Sequence, residues 1–160
     1  MPDSSDTENR PEPVPSTASS APTPCNFRRC ADDEILMPMG AQFIRFDDVA
    51  AFTLAEGVVG RPLFGAGAMI NLIEFGAGAT VSAHSHPHEQ LGIVLRGMQA
   101  LVVDGVAREL GPMEGYVLPG HVEHSAYCGP EGATVVDIFC PVREDYRERW
   151  MSSIGDPPAQ

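Results

Sequence analysis

Three histidines stand close together in the stretch Gly-Ala-Thr-Val-Ser-Ala-His-Ser-His-Pro-His-Glu-Gln-Leu-Gly-Ile-Val-Leu-Arg-Gly, residues 78–97. His84 and His86 are two positions apart, and successive side chains of a β-strand alternate between its two faces. Both imidazoles can therefore point to the same side of a strand, while Pro87 interrupts regular pairing and lets the chain turn. Gln90 can then return an amide oxygen to the same place. The stretch predicts a strand that carries part of a metal site.

Short apolar runs follow one another from residue 35 onward, separated by Gly, Pro and Asp at intervals of roughly ten residues. Val-Asp-Gly at 103–105 is typical of a tight hairpin turn. Many short strands at even spacing indicate an all-β sandwich or barrel. The runs that predict strands are QFIRFD (42–47), AMINLIEF (68–75), LGIVLRG (91–97), QALVVDG (99–105), GYVLPG (115–120) and ATVVDIF (133–139).

The two ends of the chain differ in composition from this middle part. Residues 1–34 are rich in Pro, Ser and Thr and poor in large apolar side chains, so we expect a disordered tail. Residues 35–142 form the predicted barrel, and residues 143–160 form a short C-terminal helix and tail. The apolar residues that would share one face of this helix are Tyr146, Trp150 and Ile154.

Composition excludes several classes of function. The 160 residues carry a net charge of −12, which argues against nucleic acid and anionic membranes as partners. All ten basic residues are arginine, so Schiff-base chemistry and a P-loop lysine are excluded. No run of about 18 apolar residues predicts a membrane span. Because the first residues are acidic and rich in proline, we expect no secretory signal and a cytoplasmic location.

Residues 78–97 resemble the first sequence motif of the cupin superfamily. Its glycine, histidine and amide positions are matched by Gly78, His84, His86, Gln90 and Gly97. The second cupin motif is matched by Pro119 and His124, whereas Met113, Glu114 and His121 replace the usual Gly, Asp and Gly. The resemblance implies a jelly roll, or double-stranded β-helix barrel, that holds one metal ion and is commonly a homodimer.

The implied ligands of one divalent metal ion are His84, His86, Gln90 and His124. Zinc, iron, nickel and manganese are all compatible with this set. Most metal cupins carry glutamate where this chain has Gln90. Since glutamine is neutral, a bound dication keeps its full charge, which makes it a stronger Lewis acid and harder to oxidise. This favours non-redox chemistry such as isomerisation, cyclisation or elimination.

Asp137 interrupts an apolar run, and alternation puts it on the same face as Phe139. If that face is internal, Asp137 is a candidate proton-transfer group and Arg143 can bind a substrate carboxylate. In the alternative, Asp137 faces outward beside an arginine and Arg143 belongs to the first helical turn. Together with the metal ligands, Asp137, Phe139 and Arg143 resemble the residues that line the active site of pectin-degradation cupins, which linearise 4,5-unsaturated uronates. Similar sequences at the end of the last strand also occur in polyketide cyclases of the cupin superfamily. The further candidates for substrate contact are Arg61, Tyr116 and His88, each with a surface or core role as the alternative.

The favoured function is therefore a metal-dependent, non-redox enzyme. It would act on a small oxygen-rich substrate, polyketide-like or uronate-like, with a carbonyl or carboxylate. Absence of lysine and the long tail suit secondary metabolism. An iron- or copper-dependent dioxygenase on the same site and a non-catalytic cupin that binds a small ligand remain as alternatives. We expect a homodimer that pairs through residues near 35–50.

Overall fold

The computed structural model describes residues 41–155, which form eight β-strands and one α-helix. The expected disordered tail, residues 1–34, lies outside the described residues. A single turn of 3-10 helix, Phe46–Asp48, precedes the strands. The elements are β1 (Phe52–Ala55), β2 (Val58–Phe64), β3 (Met69–Phe75), β4 (Thr80–His84), β5 (Glu89–Val103), β6 (Val106–Leu110), β7 (Gly115–Leu118), β8 (His124–Cys140) and α1 (Glu144–Gly155).

Two long strands, β5 and β8, organise the sheet. All pairings are antiparallel, in the order β1-β2-β3-β8-β5-β6, with β4 paired to β8 and β7 paired to β5. Register shifts near the middle of β5 divide it into two halves, each paired with a different half of β8. Each half of β5 therefore belongs to its own half-sheet, and the inner faces of the two half-sheets meet in one core. Ile73 and Val135 come from the half-sheet with the first half of β5, and Leu101 and Ala126 come from the other. The predicted all-β jelly roll is confirmed.

Strict alternation decides which side chains enter this core. Along β3 the buried positions are Met69, Asn71, Ile73 and Phe75, and the intervening residues lie on the outer face. β3 pairs with the second half of β8 in a regular register, which sets Asn71 opposite Asp137. A side chain of β8 is therefore internal whenever its β3 partner is internal. The inner face of this half-sheet thus carries polar groups among apolar ones.

The predicted hairpin at 103–105 is present. Val103 pairs with Val106, and the two turn residues, Asp104 and Gly105, have φ angles of 51° and 74°. Two consecutive positive φ angles define the type I′ turn, which matches the twist of paired strands. The runs LGIVLRG and QALVVDG, predicted as two strands, are parts of the single strand β5.

The strand predicted over residues 42–47 is wrong. Residues 41–45 have no regular secondary structure, and the chain then forms the 3-10 turn, closed by the N–H of Val49 donating to the carbonyl of Phe46 at 3.1 Å. Phe43 is 93% exposed. No described strand pairs with this run, and an apolar pattern without a paired neighbour does not form a strand.

The predicted C-terminal helix is present as α1. The Tyr146 ring packs edge-on against Phe139 with ring centroids 5.7 Å apart, and Trp150 Nε1 donates to the carbonyl of Ala50 at 2.8 Å. Ile154 is 44% exposed, so the predicted apolar face covers only the first two turns of the helix. No helix in the described part of the chain is long and apolar enough to cross a membrane.

The bend in β5 requires a glycine at position 97. Gly97 has a φ of 74°, and a Cβ there would overlap the carbonyl oxygen of Gly132 and lie 2.9 Å from Ala133 Cα. We expect Gly97→Ala to lower the free energy of unfolding by roughly 2–4 kcal/mol, measured by urea denaturation. Gly67→Ala is the control, because a Cβ at Gly67 meets nothing within 4 Å. Equal effects of the two changes would contradict this account.

Candidate metal centre

Three histidines converge at one end of the barrel. His84 is the last residue of β4 and pairs in register with His124, the first residue of β8. His86 lies in the loop after β4, so the prediction that it shares a strand with His84 is wrong. The loop nevertheless brings the His86 ring next to the other two, and one nitrogen from each imidazole lies within 4.8 Å of the nitrogens of the others. Such a group could hold a metal ion.

A backbone carbonyl two residues away along the chain orients each imidazole. In His84 and His124, Nδ1 donates a hydrogen bond to that carbonyl, so Nδ1 carries the proton and the Nε2 lone pair is left free, whereas both ring nitrogens of His86 face an oxygen acceptor. Metal-ligating histidines are typically fixed in this way by a partner at the other ring nitrogen. The pairs are His84 with Ser82 at 2.8 Å, His86 with His88 at 3.1 Å and His124 with Val122 at 2.8 Å.

Gln90 brings an oxygen to this cluster. Its Nε2 donates to Asp137 Oδ2 at 2.9 Å, which turns its Oε1 toward His86 Nε2, 3.0 Å away. Burial, assisted by the charge of Arg143, lowers the pKa of His86 to about 4. The neutral His86 ring has one N–H, which it can donate either to the His88 carbonyl or to Gln90. With the proton on Nδ1, a cation shared by Nε2 and Gln90 Oε1 would make their close approach favourable. His124 Nε2 is also buried without a hydrogen-bond partner among residues 41–155. The donor set fits a divalent metal ion.

Asp137 lies beside this donor set on the inner face of β8. It is 4% exposed, and the Tyr116 hydroxyl donates to its Oδ1 at 2.6 Å while Gln90 donates to its Oδ2. Burial raises the pKa of Asp137 to about 7, although both hydrogen bonds act in the opposite direction. The internal orientation is therefore the one present, and a carboxyl with this pKa can gain or lose a proton near neutral pH.

Tyr116 reaches Asp137 because the facing residue has no side chain. Gly92 of β5 lies opposite both Tyr116 of β7 and Asp137 of β8. A Cβ on Gly92 would overlap the Tyr116 ring. Burial and the neighbouring Asp137 raise the pKa of Tyr116 well above its usual value, so its hydroxyl stays a donor. The sequence prediction missed Gly92; a glycine inside an apolar strand run is the signal that could have found it.

Arg143 borders the same cluster from the start of α1. Its Nε and Nη2 donate to the Asp145 carboxylate at 3.1 and 2.6 Å, and its guanidinium lies 3.8 Å from the Tyr146 ring centroid. Its Nη1 is buried without a partner among the described residues. Phe139 is fully internal and packs edge-on against His86, with ring centroids 5.5 Å apart. Both predicted residues therefore stand next to the histidines.

Two other predicted substrate contacts lie elsewhere. Arg61 lies between the inward positions Gly60 and Pro62 of β2, so alternation turns it to the outer face, where its Nη1 is 3.2 Å from Glu74. The expectation that Arg61 contacts substrate in this cavity is therefore wrong. His88 is half-buried beside His86, which its backbone oxygen orients. His88 therefore orients the candidate ligand His86, and it is not among the residues that line the cavity described next.

A cavity of about 330 Å³ extends from the histidines into the space between the two halves of the barrel. His84, Gln90 and His124 line its outer end, with Arg143 and Tyr146 beside them. The sequence prediction missed Gln99, Tyr146 and Arg149, which also line it. For Gln99 the available signal was a polar residue within the apolar run QALVVDG.

The fold and this site define a jelly-roll protein with a candidate metal site. A family model described as "Cupin domain" matches residues 71–139. A solved RmlC-like cupin from Shewanella frigidimarina is 31% identical, with a TM-score of 0.62, over 67% of this chain and 96% of that one. The chain belongs to the cupin family.

Two curated proteins are also similar to part of the chain. The dimethylsulfoniopropionate lyase DddW of Ruegeria pomeroyi is 31% identical over 64 residues, which are 40% of this chain and 42% of that protein. The pectin degradation protein KdgF of Dickeya dadantii is 29% identical over 79 residues, which are 49% of this chain and 72% of that protein. The chain therefore aligns with less than half of the lyase and with most of KdgF.

We expect the purified chain to bind one zinc ion, and His84→Ala and His124→Ala to weaken that binding at least about 100-fold, because each removes a ligand. Metal content after dialysis and calorimetric titration measure this. The control is His121→Asn: His121 is exposed, lies outside the cluster and has a φ of 68°, which asparagine tolerates. Loss of zinc in the control, or full retention in both alanine variants, would contradict the assignment.

Proposed function

We propose that this cupin is a metal-dependent enzyme that transfers a proton, without redox chemistry, on a small substrate with a carbonyl or carboxylate group. The reaction class is isomerisation, elimination or cyclisation. The observation that carries the proposal is the position of Asp137. The Gln90 side chain bonds this buried carboxyl through its amide nitrogen and faces His86 with its oxygen. The pKa of Asp137 is raised to about 7.

The ligand set favours Lewis-acid chemistry. His84, His86, His124 and Gln90 are all neutral donors when their imidazoles are unprotonated. When bound there, a dication would supply a nearly uncompensated positive charge that polarises a substrate oxygen. No anionic ligand in the set stabilises a trivalent ion, which supports the non-redox reaction over the dioxygenase alternative.

Asp137 is the proposed proton carrier. Near neutral pH both of its protonation states are populated, so it can take a proton from a carbon next to a polarised carbonyl and return it elsewhere. The Tyr116 hydroxyl holds Oδ1 in place and stays protonated, because burial raises its own pKa. The Gln90 amide holds Oδ2, so the orientation of the base depends on a metal ligand.

Arg143 is the proposed anion contact. Asp145 engages two of its donor nitrogens, and stacking on Tyr146 fixes the plane of the guanidinium. The remaining nitrogen, Nη1, is buried and unpartnered among the described residues, so a substrate carboxylate would satisfy it. The positive charge of Arg143 would then hold the acidic end of the substrate at the side of the cavity where Arg143 lies.

The similarity to known proteins supports the class of reaction. DddW is named as a lyase, which is a non-redox activity, and KdgF is named as a pectin degradation protein. Both likenesses cover half of this chain or less. They therefore support a cupin enzyme of the lyase or isomerase type and leave its substrate to experiment.

We expect Asp137→Asn to reduce metal-dependent proton transfer at least about 100-fold while one zinc ion stays bound, because asparagine keeps the shape and loses the base. The zinc-loaded protein would be tested under nitrogen in deuterated buffer. NMR would follow deuterium incorporation or product formation with three carboxylates: phenylpyruvate, dimethylsulfoniopropionate and a 4,5-unsaturated galacturonate.

The matched control is Asp104→Asn, which makes the same chemical change at the exposed hairpin turn, where asparagine is favoured. Its activity should equal that of the unmodified chain. Turnover that requires oxygen, or that Asp137→Asn leaves intact, would refute the proposal.

We also propose that the chain forms a homodimer. The surface we propose is the outer face of the half-sheet that contains β7 and the second half of β8, instead of the predicted segment near residues 35–50, of which residues 35–40 lie outside the described residues. This face carries apolar residues, and its Leu95, Val117 and Ile138 are 46%, 58% and 36% exposed. An apolar patch of this kind is commonly covered by another protein surface.

Light scattering should give twice the chain mass of 17.1 kDa. Val117→Glu should raise the dimer dissociation constant at least about tenfold, because it places a charge in the contact. The control Val106→Glu, at a 55% exposed position in the β5–β6 hairpin, should not. A monomer at micromolar concentration would contradict this expectation.

A further inference from the structure

The cavity has two chemically different walls. Near the histidines it is polar, with Asp137 and Tyr116 bonded to each other. Farther in, aliphatic and aromatic side chains line it, among them Val58, Ile73 and Leu101. A polyhydroxylated substrate would leave hydroxyls unpaired against this inner wall, which is unfavourable. The inner wall suits an apolar group.

Gln99 adds a further amide to the cavity, within hydrogen-bonding reach of the Tyr116 hydroxyl. It lies on β5, two positions before Leu101, and is 2% exposed. Its Oε1 is buried and has no hydrogen-bond partner within residues 41–155. A buried amide oxygen without a donor is rare in native proteins and costs stability. A hydroxyl or N–H group of a ligand in the cavity would satisfy it.

The volume limits how large that ligand can be. About 330 Å³ is near the lower end of the range for ligand pockets and holds roughly ten water-sized groups. One ring with one or two substituents fits such a space. The cavity is therefore matched in size to a single-ring body.

We propose that the substrate is a small compound with an apolar, ring-sized body and one hydroxyl or N–H donor, which bonds Gln99 Oε1. This substrate class rests on the proposed function, since the reacting oxygen would lie at the polar end beside Asp137. Gln99 is then a specificity-determining residue that stands beside Tyr116. Sugar acids, which carry several hydroxyls on a ring of similar size, are disfavoured.

Three probes of similar size test this directly with the zinc-loaded full chain. Phenol has the ring and one donor, fluorobenzene has the ring without a donor, and D-galacturonate has many hydroxyls. Dissociation constants would come from NMR titration, in which the side-chain amide of Gln99 is also observed. We expect phenol to bind more tightly than either of the other probes and to shift the Gln99 amide resonance.

Gln99→Leu should weaken phenol binding about 3- to 10-fold and leave fluorobenzene binding within about twofold, because a neutral hydrogen bond is lost and the shape is kept. The matched control, Gln42→Leu, makes the same change at an exposed position and should alter neither constant. Leu101→Asn, a second variant in the same wall, should weaken fluorobenzene binding.

Each contrary outcome overturns the proposal. It fails if galacturonate binds more tightly than phenol, if phenol does not bind, or if Gln99→Leu weakens both aromatic probes equally. These readouts measure binding and need no turnover. A failure here is therefore distinct from a failure of the proposed function, which the Asp137→Asn activity assay reports.

Discussion

The contact between His86 Nε2 and Gln90 Oε1 is the constraint on which the site depends. The two atoms are 3.0 Å apart, and burial keeps the imidazole neutral by lowering its pKa to about 4. The Gln90 amide cannot turn away without losing its hydrogen bond to Asp137. An imidazole nitrogen and an amide oxygen held together in this way suit a shared cation, and His124 Nε2, which is buried without a partner among residues 41–155, adds a third donor atom.

Because Gln90 contacts both His86 and Asp137, one side chain would couple metal coordination to proton transfer in the proposed reaction. The coupling requires space as well as hydrogen bonds. Tyr116 reaches Asp137 only because Gly92, opposite it on β5, has no side chain. A substitution at Gly92 would therefore disturb the base without touching a ligand or the base itself. The cavity has a polar and an apolar wall, and Gln99 stands beside Tyr116.

Much of the fold and the metal site could be predicted from local patterns. The Asp-Gly turn and the period of the helix depend on neighbouring residues alone, and both are present; the predicted convergence of the histidines is also present, although His86 reaches the site from a loop. The failures share a physical cause. The run at 42–47 has the composition of a strand, but pairing requires a neighbour that no local pattern supplies. Arg61 has suitable chemistry for an anion contact, but its face depends on the register of β2 with β3.

The sequence by itself determined the jelly-roll class, the four candidate metal-ligand residues and the relative faces of alternating residues such as Asp137 and Phe139. The tertiary structure decided which of those faces is internal. It set Asp137 inside beside Gln90, turned Arg61 outward and left Gln99 Oε1 without a hydrogen-bond partner among the described residues. The physical reason is that alternation fixes relations within one strand, whereas burial, pKa and hydrogen bonding depend on contacts between strands far apart in the chain.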